Sequence, residues 1–346
     1  MHAHIALFPA SEDDLSAIVA LWQAQDRRHY AQDPLLYPPR SAEQIEQIVR
    51  GQRQHEQSAF VALDDRQRVR AYIAPACWNL APTSVLHAFL TPCNGIAEAF
   101  VLPDPDDADV AFVVSAVCHF LSTWWRERKT TGDLLRWPAC DRWLEPFLLA
   151  QGFLLDSVCA IRSPVPLEQP VHSLREAVTI RLAVPADEEQ LLALFLAEME
   201  VHANTVPCSR VSEVAMRGFA HKLQQYWQEG QEQGGDLFIL VAEHPLEGVV
   251  GMAENVLITV EWDEAPGFTP PGRYGCLDNV SVRPGLQGLG IGRLLVDAAL
   301  TLFRQRDAQM RAVVLWYNPD NPRASRFWPH LGFHDLWMTY QRLSTP

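Results

Sequence analysis

The chain lacks the features that mark secreted and membrane-spanning proteins. Its seven cysteines are odd in number and never spaced as Cys-x-x-Cys, which indicates reduced thiols rather than a disulfide framework or a zinc site. The amino terminus has no basic stretch followed by an apolar one, so no secretory signal is predicted. The longest apolar run, residues 110–121, is too short to span a bilayer. We therefore expect a cytoplasmic protein that does not associate with membranes.

Positive charge is also scarce. The sequence has 28 Lys and Arg against 42 Asp and Glu, a formal net charge of −14 at pH 7. Because nucleic-acid binding depends on basic side chains that neutralise phosphates, this balance argues against a nucleic-acid partner. It is compatible with a small-molecule amine or peptide amine as partner, and equally with ordinary surface charge that keeps a protein soluble. We expect such an amine, and either a monomer or a homodimer.

The sequence contains an internal repeat. No low-complexity tract occurs, and 346 residues suit two domains of about 170 residues each. Four short segments recur in the same order at a nearly constant offset, and such matches indicate a duplicated fold. The pairs are Pro9–Ile18 with Pro185–Leu194, Phe60–Ala62 with Leu240–Ala242, Val101–Pro103 with Val282–Pro284, and Gln151–Phe153 with Leu331–Phe333.

The pattern of the second half predicts an α/β class fold, an α+β arrangement of helices on a mixed sheet. A proline-rich stretch, Ser163–Pro170, separates the halves, so we predict domains at 1–165 and 178–346 with a linker at 166–177. Helices are predicted at 188–201, 212–229, 290–306 and 322–330. Strands are predicted at 237–243, 249–261, 274–282, 311–317 and 335–342.

A glycine-rich turn between a strand and a helix is the most informative motif. The strand Leu277–Val282 leads into Gln287-Gly288-Leu289-Gly290-Ile291-Gly292-Arg293, which opens an amphipathic helix. Glycines at such a turn expose backbone amides at the positive end of the helix dipole, where phosphate binds. Arg293 stands where a dinucleotide fingerprint needs its third glycine, and no Walker A lysine is present. A purely structural turn remains the alternative.

The motif resembles the pyrophosphate-binding loop of the GNAT acyltransferases. Their pattern of Gln or Arg, two residues, Gly, any residue, and Gly or Ala is similar to Gln287–Gly292. Their later element is similar to Asn321–Trp328, followed by Gly332-Phe333. The resemblance covers about residues 178–343, and the first half only through the repeat. It implies two tandem acyl-CoA N-acyltransferase folds and acetyl transfer from acetyl-CoA to a primary amine by direct attack on the thioester.

The resemblance also implies the residues that bind the cosubstrate. The pantetheine arm would pair along the edge of the strand Leu277–Val282, a backbone amide there would polarise the thioester carbonyl, and the pyrophosphate would lie on the glycine turn. The implied residues are Val280, Ser281, Val282, Gln287, Gly288, Leu289, Gly290, Ile291, Gly292, Arg293 and Asn321.

We predict no metal site. His330 and His334 have the i, i+4 spacing of zinc ligands, but Gly332 and Phe333 between them should end the helix. Cys276 is expected to pack within the sheet rather than to carry an acyl group.

The catalytic residues are less well defined by the sequence. Asp278 is the first candidate for the general base because it lies on the cosubstrate-binding strand, with Glu254 and Glu243 on neighbouring strands as alternatives. The alternative interpretation of Asp278 is a solvated or salt-bridged strand carboxylate. The family's usual tyrosine acid is replaced by Trp328, which cannot donate a proton as tyrosine does. Tyr317, Tyr274 or water would then protonate the leaving thiolate.

The first half is predicted not to bind CoA. At the same offset its loop reads Asp106-Asp107-Ala108-Asp109-Val110-Ala111, with carboxylates in place of glycines, and Asp141 stands in place of Asn321. Carboxylates repel pyrophosphate and hinder close approach to the backbone. We expect this half to cover the active domain or to shape the acceptor cleft.

The acceptor itself is not named by the sequence. It would be set by the segments 200–210 and 264–272 and by the face between the halves, with Glu198, Glu200 and His202 as candidates for contact with a cation. Two alternatives remain open: a non-catalytic acyl-CoA-binding or interaction module, and acyl transfer to a hydroxyl or thiol.

Overall fold

A computed structural model describes residues 4–36, 38–54, 58–167, 178–205, 210–229, 236–261 and 269–343. The helices are α1 Leu15–Gln32, α2 Ala42–Gln54, α3 Val110–Glu127, α4 Glu145–Ala150, α5 Glu188–Thr205, α6 Glu213–Glu229, α7 Ile291–Arg306 and α8 Ala324–His330. The strands are β1 Ala6–Pro9, β2 Phe60–Leu63, β3 Val69–Asn79, β4 Cys93–Val101, β5 Gly132–Pro138, β6 Leu154–Arg162, β7 Thr179–Leu182, β8 Leu237–His244, β9 Gly248–Val260, β10 Gly272–Val282, β11 Ala312–Tyr317 and β12 His334–Leu343.

The strands form one sheet of twelve in the order β1-β2-β3-β4-β5-β12-β6-β11-β10-β9-β8-β7. Neighbours are antiparallel except for the parallel pairs β4 with β5 and β10 with β11. The two halves repeat the same succession of strands and helices, so the predicted class of two tandem acyltransferase-like folds in a mostly antiparallel sheet is confirmed. No described helix is long and apolar enough to cross a membrane.

The two halves exchange their last strands. Strand β6, the last of the first half, is hydrogen-bonded to β11 and β12. Strand β12, the last of the second half, pairs with β5. The predicted division at 1–165 and 178–346 stays a prediction about the chain, and most of the predicted linker lies outside the described residues. Hydrogen bonding across the exchange joins the two halves into one sheet.

Helices cover both faces of the sheet because each has an apolar stripe at helical spacing. On one face, α3 and α7 share a continuous core that runs across both halves. On the other face, α1 and α2 cover the first half, whereas α5 and α6 cover the second. The buried positions of α7 are Ile291, Leu294, Leu295, Val296, Ala299, Leu300 and Phe303. Each large apolar side chain buried in this way stabilises the fold by roughly 1.5–3 kcal/mol.

A segment of the first half, residues 80–92 between β3 and β4, packs against α6 of the second half; we call it the bridging segment. Its backbone is so close to Gly218 that a Cβ there would lie 2.9 Å from the carbonyl oxygen of Thr83. The amide of Arg210 donates to the carbonyl of Ala88 over 3.0 Å. The Phe89 ring meets His202 edge-on at 5.4 Å. The position of α6 is therefore set partly by the first half.

Candidate active site

Strand β10 parts from its neighbour at the point where the sequence predicts cosubstrate binding. The hydrogen-bonded register of β10 with β11 begins at Tyr274 and ends at Leu277. On its other side β10 stays paired with β9 as far as Val282, with a bulge at Asp278. Backbone groups of residues 280–282 that face away from β9 therefore open into the gap between β10 and β11. An extended chain could add to this edge as a further strand does.

The glycine turn that follows forms an open cradle. Gly285, Gly288 and Gly290 have φ of 91°, 80° and 88°, in the left-handed region that favours glycine. A Cβ at Gly288 would meet nothing within 4 Å, so the loop surface there is unobstructed. Helix α7 begins at Ile291, and the amides of its first turn have no intrahelical acceptor. Backbone donors and the positive end of the α7 dipole thus lie together at this turn.

Side chains within the turn hold its shape. Gln287 donates from Nε2 to the carbonyl of Val282 over 2.9 Å and accepts a hydrogen bond from Arg323. Gly292 packs against Phe327 of α8, since a Cβ there would lie 3.3 Å from the ring. The turn residues 287–293 therefore lie next to the strand residues 280–282, joined by the hydrogen bond from Gln287 to Val282. Of these, Ser281 and Ile291 are buried, at 2% and 3% exposed.

Two residues of the later motif have structural contacts. Asn321 is buried, and its Oδ1 accepts from the amides of Arg323 and Ala324 over 3.0 and 3.3 Å, which caps the start of α8. Trp328 is also buried and meets Phe333 edge-on at 5.4 Å. Trp328 therefore fills core volume, whereas Oδ1 of Asn321 fixes the start of α8.

Two of the predicted carboxylates meet at a lysine beside the point where β10 parts from β11, which we call the splay. Lys222 of α6 forms an ion pair with Glu254 of β9 and donates to Oδ2 of Asp278 over 2.7 Å. Glu254 is 3% exposed, whereas the Asp278 side chain is 39% exposed. Burial, and then the charge of Asp278, raise the pKa of Glu254 to about 7, against the opposing effect of Lys222. We call these three residues the carboxylate–lysine cluster.

The lysine stays charged in this setting. Burial lowers the pKa of Lys222, but the charges of Glu254 and Asp278 outweigh that effect and raise the pKa above its ordinary value. The cluster thus contains a buried carboxyl group with a raised pKa, a partly exposed carboxylate and a charged ammonium group.

The remaining acid and base candidates lie outside the carboxylate–lysine cluster. Glu243 forms an exposed ion pair with Arg181 over 2.7 Å, and this hydrogen bond lowers the pKa of Glu243. Tyr274 lies four residues before the bulge at Asp278, and its hydroxyl donates to the carbonyl of Pro270 over 2.6 Å. The Tyr317 hydroxyl donates to Oδ1 of Asp335 over 2.8 Å, and burial raises its pKa.

The residues considered for metal or acyl binding have other surroundings. His334 pairs with Asp33 of the first half over 2.7 Å. Cys276 is buried, which raises the pKa of its thiol. Within the part of the chain that the structure describes, no group of three or more His, Cys, Asp or Glu is arranged to hold a metal ion.

Lys222 is the site residue that the sequence analysis missed. It lies on the stripe of α6 that also carries the buried residues Ala215, Phe219 and Tyr226, where a charged side chain needs a partner. It is also one of two lysines in the chain, with Lys129, among 28 basic residues. A lysine in an apolar helical stripe of an arginine-rich protein was the available signal.

One family model matches the part of the chain that carries this arrangement. The model of the acetyltransferase (GNAT) family matches residues 207–333. That range includes Lys222, both carboxylates, the glycine turn and α8. Residues 207–333 therefore match the GNAT acetyltransferase family in sequence. No curated protein matches the chain in sequence.

Solved structures with the GNAT fold extend over the whole chain. A GCN5-related N-acetyltransferase from Sphaerobacter thermophilus is 17% identical, with a TM-score of 0.53 over 99% of this chain and 96% of that one. A glucosamine N-acetyltransferase region of a fungal multi-domain GH3 β-N-acetylglucosaminidase is 18% identical, with a TM-score of 0.50 over 99% of this chain and 38% of that one. At these identities the likeness is one of fold.

In the first half, the groove that corresponds to the gap between β10 and β11 is filled by side chains of this chain. Strand β4 pairs with β5 only over residues 94–96, so it too parts from its neighbour. Gln25 of α1 accepts from the amide of Leu102 over 2.8 Å and donates to the carbonyl of Phe100 over 3.2 Å. This amide side chain thus uses backbone groups at the edge that is open in the second half.

The rest of that groove is occupied by ion pairs and rings. Asp141 is buried and bound by His29 and Arg28 over 2.8 and 3.1 Å. Trp137 packs edge-on between Phe100 and Trp143, with ring centroids 5.9 Å away in each case. At the start of α3, Arg70 binds Asp107 over 2.6 Å. These contacts replace the open cradle of the second half.

Proposed function

We propose that the second half is an acetyl-CoA-dependent N-acetyltransferase that transfers an acetyl group to a primary amine. The observation that carries this proposal is the position of the carboxylate–lysine cluster at the point where β10 leaves β11, next to an open glycine cradle at the start of α7. A phosphate-binding surface and a proton-accepting group thus lie along one strand.

The residues present fit acetyl-CoA. The cradle has room and backbone donors for a pyrophosphate, and residues 280–282 have an open edge for the pantetheine amides. When bound, acetyl-CoA supplies an acetyl group activated as a thioester. Residues 280–282 orient that group, and Gln287 and Arg323 keep the turn in the conformation that presents its amides.

The cluster prepares the acceptor. A primary amine reaches the enzyme mostly as an ammonium ion and must lose a proton before it can act as a nucleophile. We assign contact with the amine to Asp278, which is exposed, and reception of the proton to Glu254, whose pKa of about 7 suits exchange at neutral pH. Tyr317 is held by Asp335 with a raised pKa, so we assign protonation of the leaving thiolate to solvent.

We also propose one CoA site per chain, in the second half. The first half has carboxylates, a tryptophan cluster and Gln25 in the corresponding groove. The described cysteines are free thiols, which agrees with a reducing, cytoplasmic location.

Calorimetric titration of acetyl-CoA tests the binding site. We expect one site per chain in the wild type, retained at reduced affinity in Gly288→Ala and abolished in Gly288→Asp. Both variants introduce a Cβ at the same positive φ, so their difference isolates the carboxylate in the cradle. Absence of binding by the wild type would overturn the proposal, and two sites per chain would contradict the account of the first half.

Release of free thiol from acetyl-CoA tests catalysis. A panel of diamines, polyamines, amino sugars and peptide amino termini should include an amine that accelerates release. Binding of acetyl-CoA without amine-dependent release across the panel would favour the alternative, a non-catalytic acyl-CoA-binding module. Release with alcohols or thiols but not amines would change the acceptor class while leaving the cosubstrate site intact.

A further inference from the structure

Lys222 reaches two strands from a helix that the first half holds in place. Its ammonium group lies between Glu254 of β9 and Asp278 of β10. The bridging segment packs on α6 one turn before Lys222, where Gly218 allows backbone contact. A chain of contacts therefore runs from the first half through α6 to the proposed base.

The charged and titratable groups around Glu254 are few. Helix α6 contributes Lys222, while its neighbour His221 is exposed. Strand β10 contributes Asp278 and the buried thiol of Cys276, whose pKa responds to the charges of the cluster. On the side of β8 the register neighbour is the apolar Ile239. Among the described residues in contact with Glu254, Lys222 is thus the cation that opposes the effect of burial.

Removing that cation would change the chemistry of both carboxylates. Without it, a fully buried Glu254 beside Asp278 would retain its proton to a higher pH, because burial and a like charge both disfavour ionisation. A long, flexible lysine side chain loses conformational freedom when it is fixed in this position. When α6 is held firmly, the ammonium group of Lys222 has fewer positions open to it.

We propose that Lys222 is a positioning residue for acyl transfer: it holds Glu254 and Asp278 together at the splay in a proton-accepting state, and the bridging segment fixes it there through α6. The proposal rests on the N-acetyltransferase function proposed above. In the reaction, the ammonium form of the acceptor gives its proton to Glu254, and the neutral amine then forms the new C–N bond. The attacking nitrogen then loses its second proton to solvent, the C–S bond breaks and the amide forms. CoA leaves as a thiolate that takes a proton from solvent, and the proton on Glu254 returns to solvent.

Kinetics as a function of pH test the role of Lys222. In Lys222→Met we expect the rise of kcat/KM with pH to shift upward by about one unit, so that the rate is about fivefold lower at pH 7, approaches tenfold lower in acid and recovers in alkali. Lys222→Arg should restore most of the wild-type profile because it keeps the positive charge. Lys129→Met, which removes the exposed lysine, is the matched control and should leave the profile unchanged.

The same variants separate a positioning role from a structural one. Calorimetric affinity for acetyl-CoA should be similar in Lys222→Met and the wild type, because Lys222 does not belong to the cradle. A uniform loss of rate at every pH, with no shift of the profile, would overturn the proposal. If the wild type itself did not bind acetyl-CoA, the result would instead count against the proposed function.

Gly218→Ala tests the part played by the first half. Its Cβ would meet the Thr83 carbonyl oxygen at 2.9 Å and displace α6 or the bridging segment. We expect a smaller upward shift of the same pH profile, with acetyl-CoA affinity retained. Gly51→Ala in α2, where a Cβ meets nothing within 4 Å, is the matched control. If the Gly218→Ala protein folds with α6 displaced and its pH profile of kcat/KM is unchanged, the role of the bridging segment is overturned.

A measurement independent of turnover uses the scarcity of lysine. Protein labelled with nitrogen-15 in its lysines has two side-chain signals, from Lys129 and Lys222. We expect Asp278→Asn to move the Lys222 signal and to leave the Lys129 signal in place. If neither signal moved, the contact between Lys222 and Asp278 would be disproved, whether or not the protein is an enzyme.

Discussion

Glu254 combines deep burial with two charged neighbours, and its pKa follows from both. A carboxyl group taken out of water and placed beside a second carboxylate keeps its proton, and an ammonium group at the same point partly reverses this effect. The result, a pKa raised to about 7, places proton exchange in the range where a base for an ammonium acceptor is useful.

The raised pKa of Glu254 makes the stability of the fold depend on pH. Between about pH 4.5 and 7 the folded state keeps a proton that the unfolded state has lost, so the free energy of unfolding should fall as the pH rises through that window. In Glu254→Gln this contribution disappears, and urea unfolding at a series of pH values should show a flatter dependence. The same variant should lose roughly 100-fold or more in kcat. An unaltered pH dependence of stability would contradict the burial of an ionisable Glu254.

Gln25 is the residue that closes the first groove, and its removal should be costly. In Gln25→Ala the amide of Leu102 and the carbonyl of Phe100 lose their partner inside the protein. A buried polar group left unpaired costs about 1–3 kcal/mol, so denaturant titration should show a loss of that size. Glu127→Gln on the exposed end of α3 is a suitable control, and a similar stability in both variants would mean that water readily replaces the Gln25 amide.

At the scale of single elements, the sequence is a good guide where pattern and chemistry are local. Helix α7 and the turn before it follow from an apolar stripe and three glycines within one short stretch, and the predicted start at residue 290 differs by one residue from Ile291. The cluster could be predicted only in part, because Asp278 and Glu254 lie on predicted neighbouring strands whereas Lys222 comes from a helix whose placement depends on the first half. Packing between distant segments leaves little trace in local periodicity.

Two glycines in comparable helices give opposite predictions. Gly51 of α2 has open space around it, so Gly51→Ala should stabilise the protein by about 0.5–1 kcal/mol through the lower conformational freedom of alanine. Gly218 of α6 lies against the backbone of the bridging segment, so Gly218→Ala should destabilise it by about 1–3 kcal/mol. Thermal unfolding of the pair measures both, and a gain in both variants would show that the bridging segment is loosely packed.

At the scale of the whole molecule, the exchange of β6 and β12 determines how the halves are held together. The local patterns of both strands predict strands, but neither shows which sheet will receive it. Both belong to duplicated segments, and the choice between two similar partners is made by the overall topology. The sequence therefore predicted the duplication and the class of fold, while the single continuous sheet emerged only from the structure.

The exchange predicts that a cut in the predicted linker will not separate the halves. With a protease site placed within residues 166–177, the cleaved protein should still elute at the volume of the intact chain, because β6 remains hydrogen-bonded to β11 and β12. It should also bind acetyl-CoA as before. Separation of the two fragments without denaturant would contradict the exchange.

The order in which the ribosome makes the chain gives the exchange a further meaning. Strand β5 leaves the ribosome in the first half of synthesis, yet its partner β12 is among the last residues to be made. Until then β5 has an unpaired edge, and an exposed edge can pair wrongly with other chains. Co-translational folding of the first half should therefore stop one strand short, and nascent chains that end before residue 334 should be the species that chaperones retain.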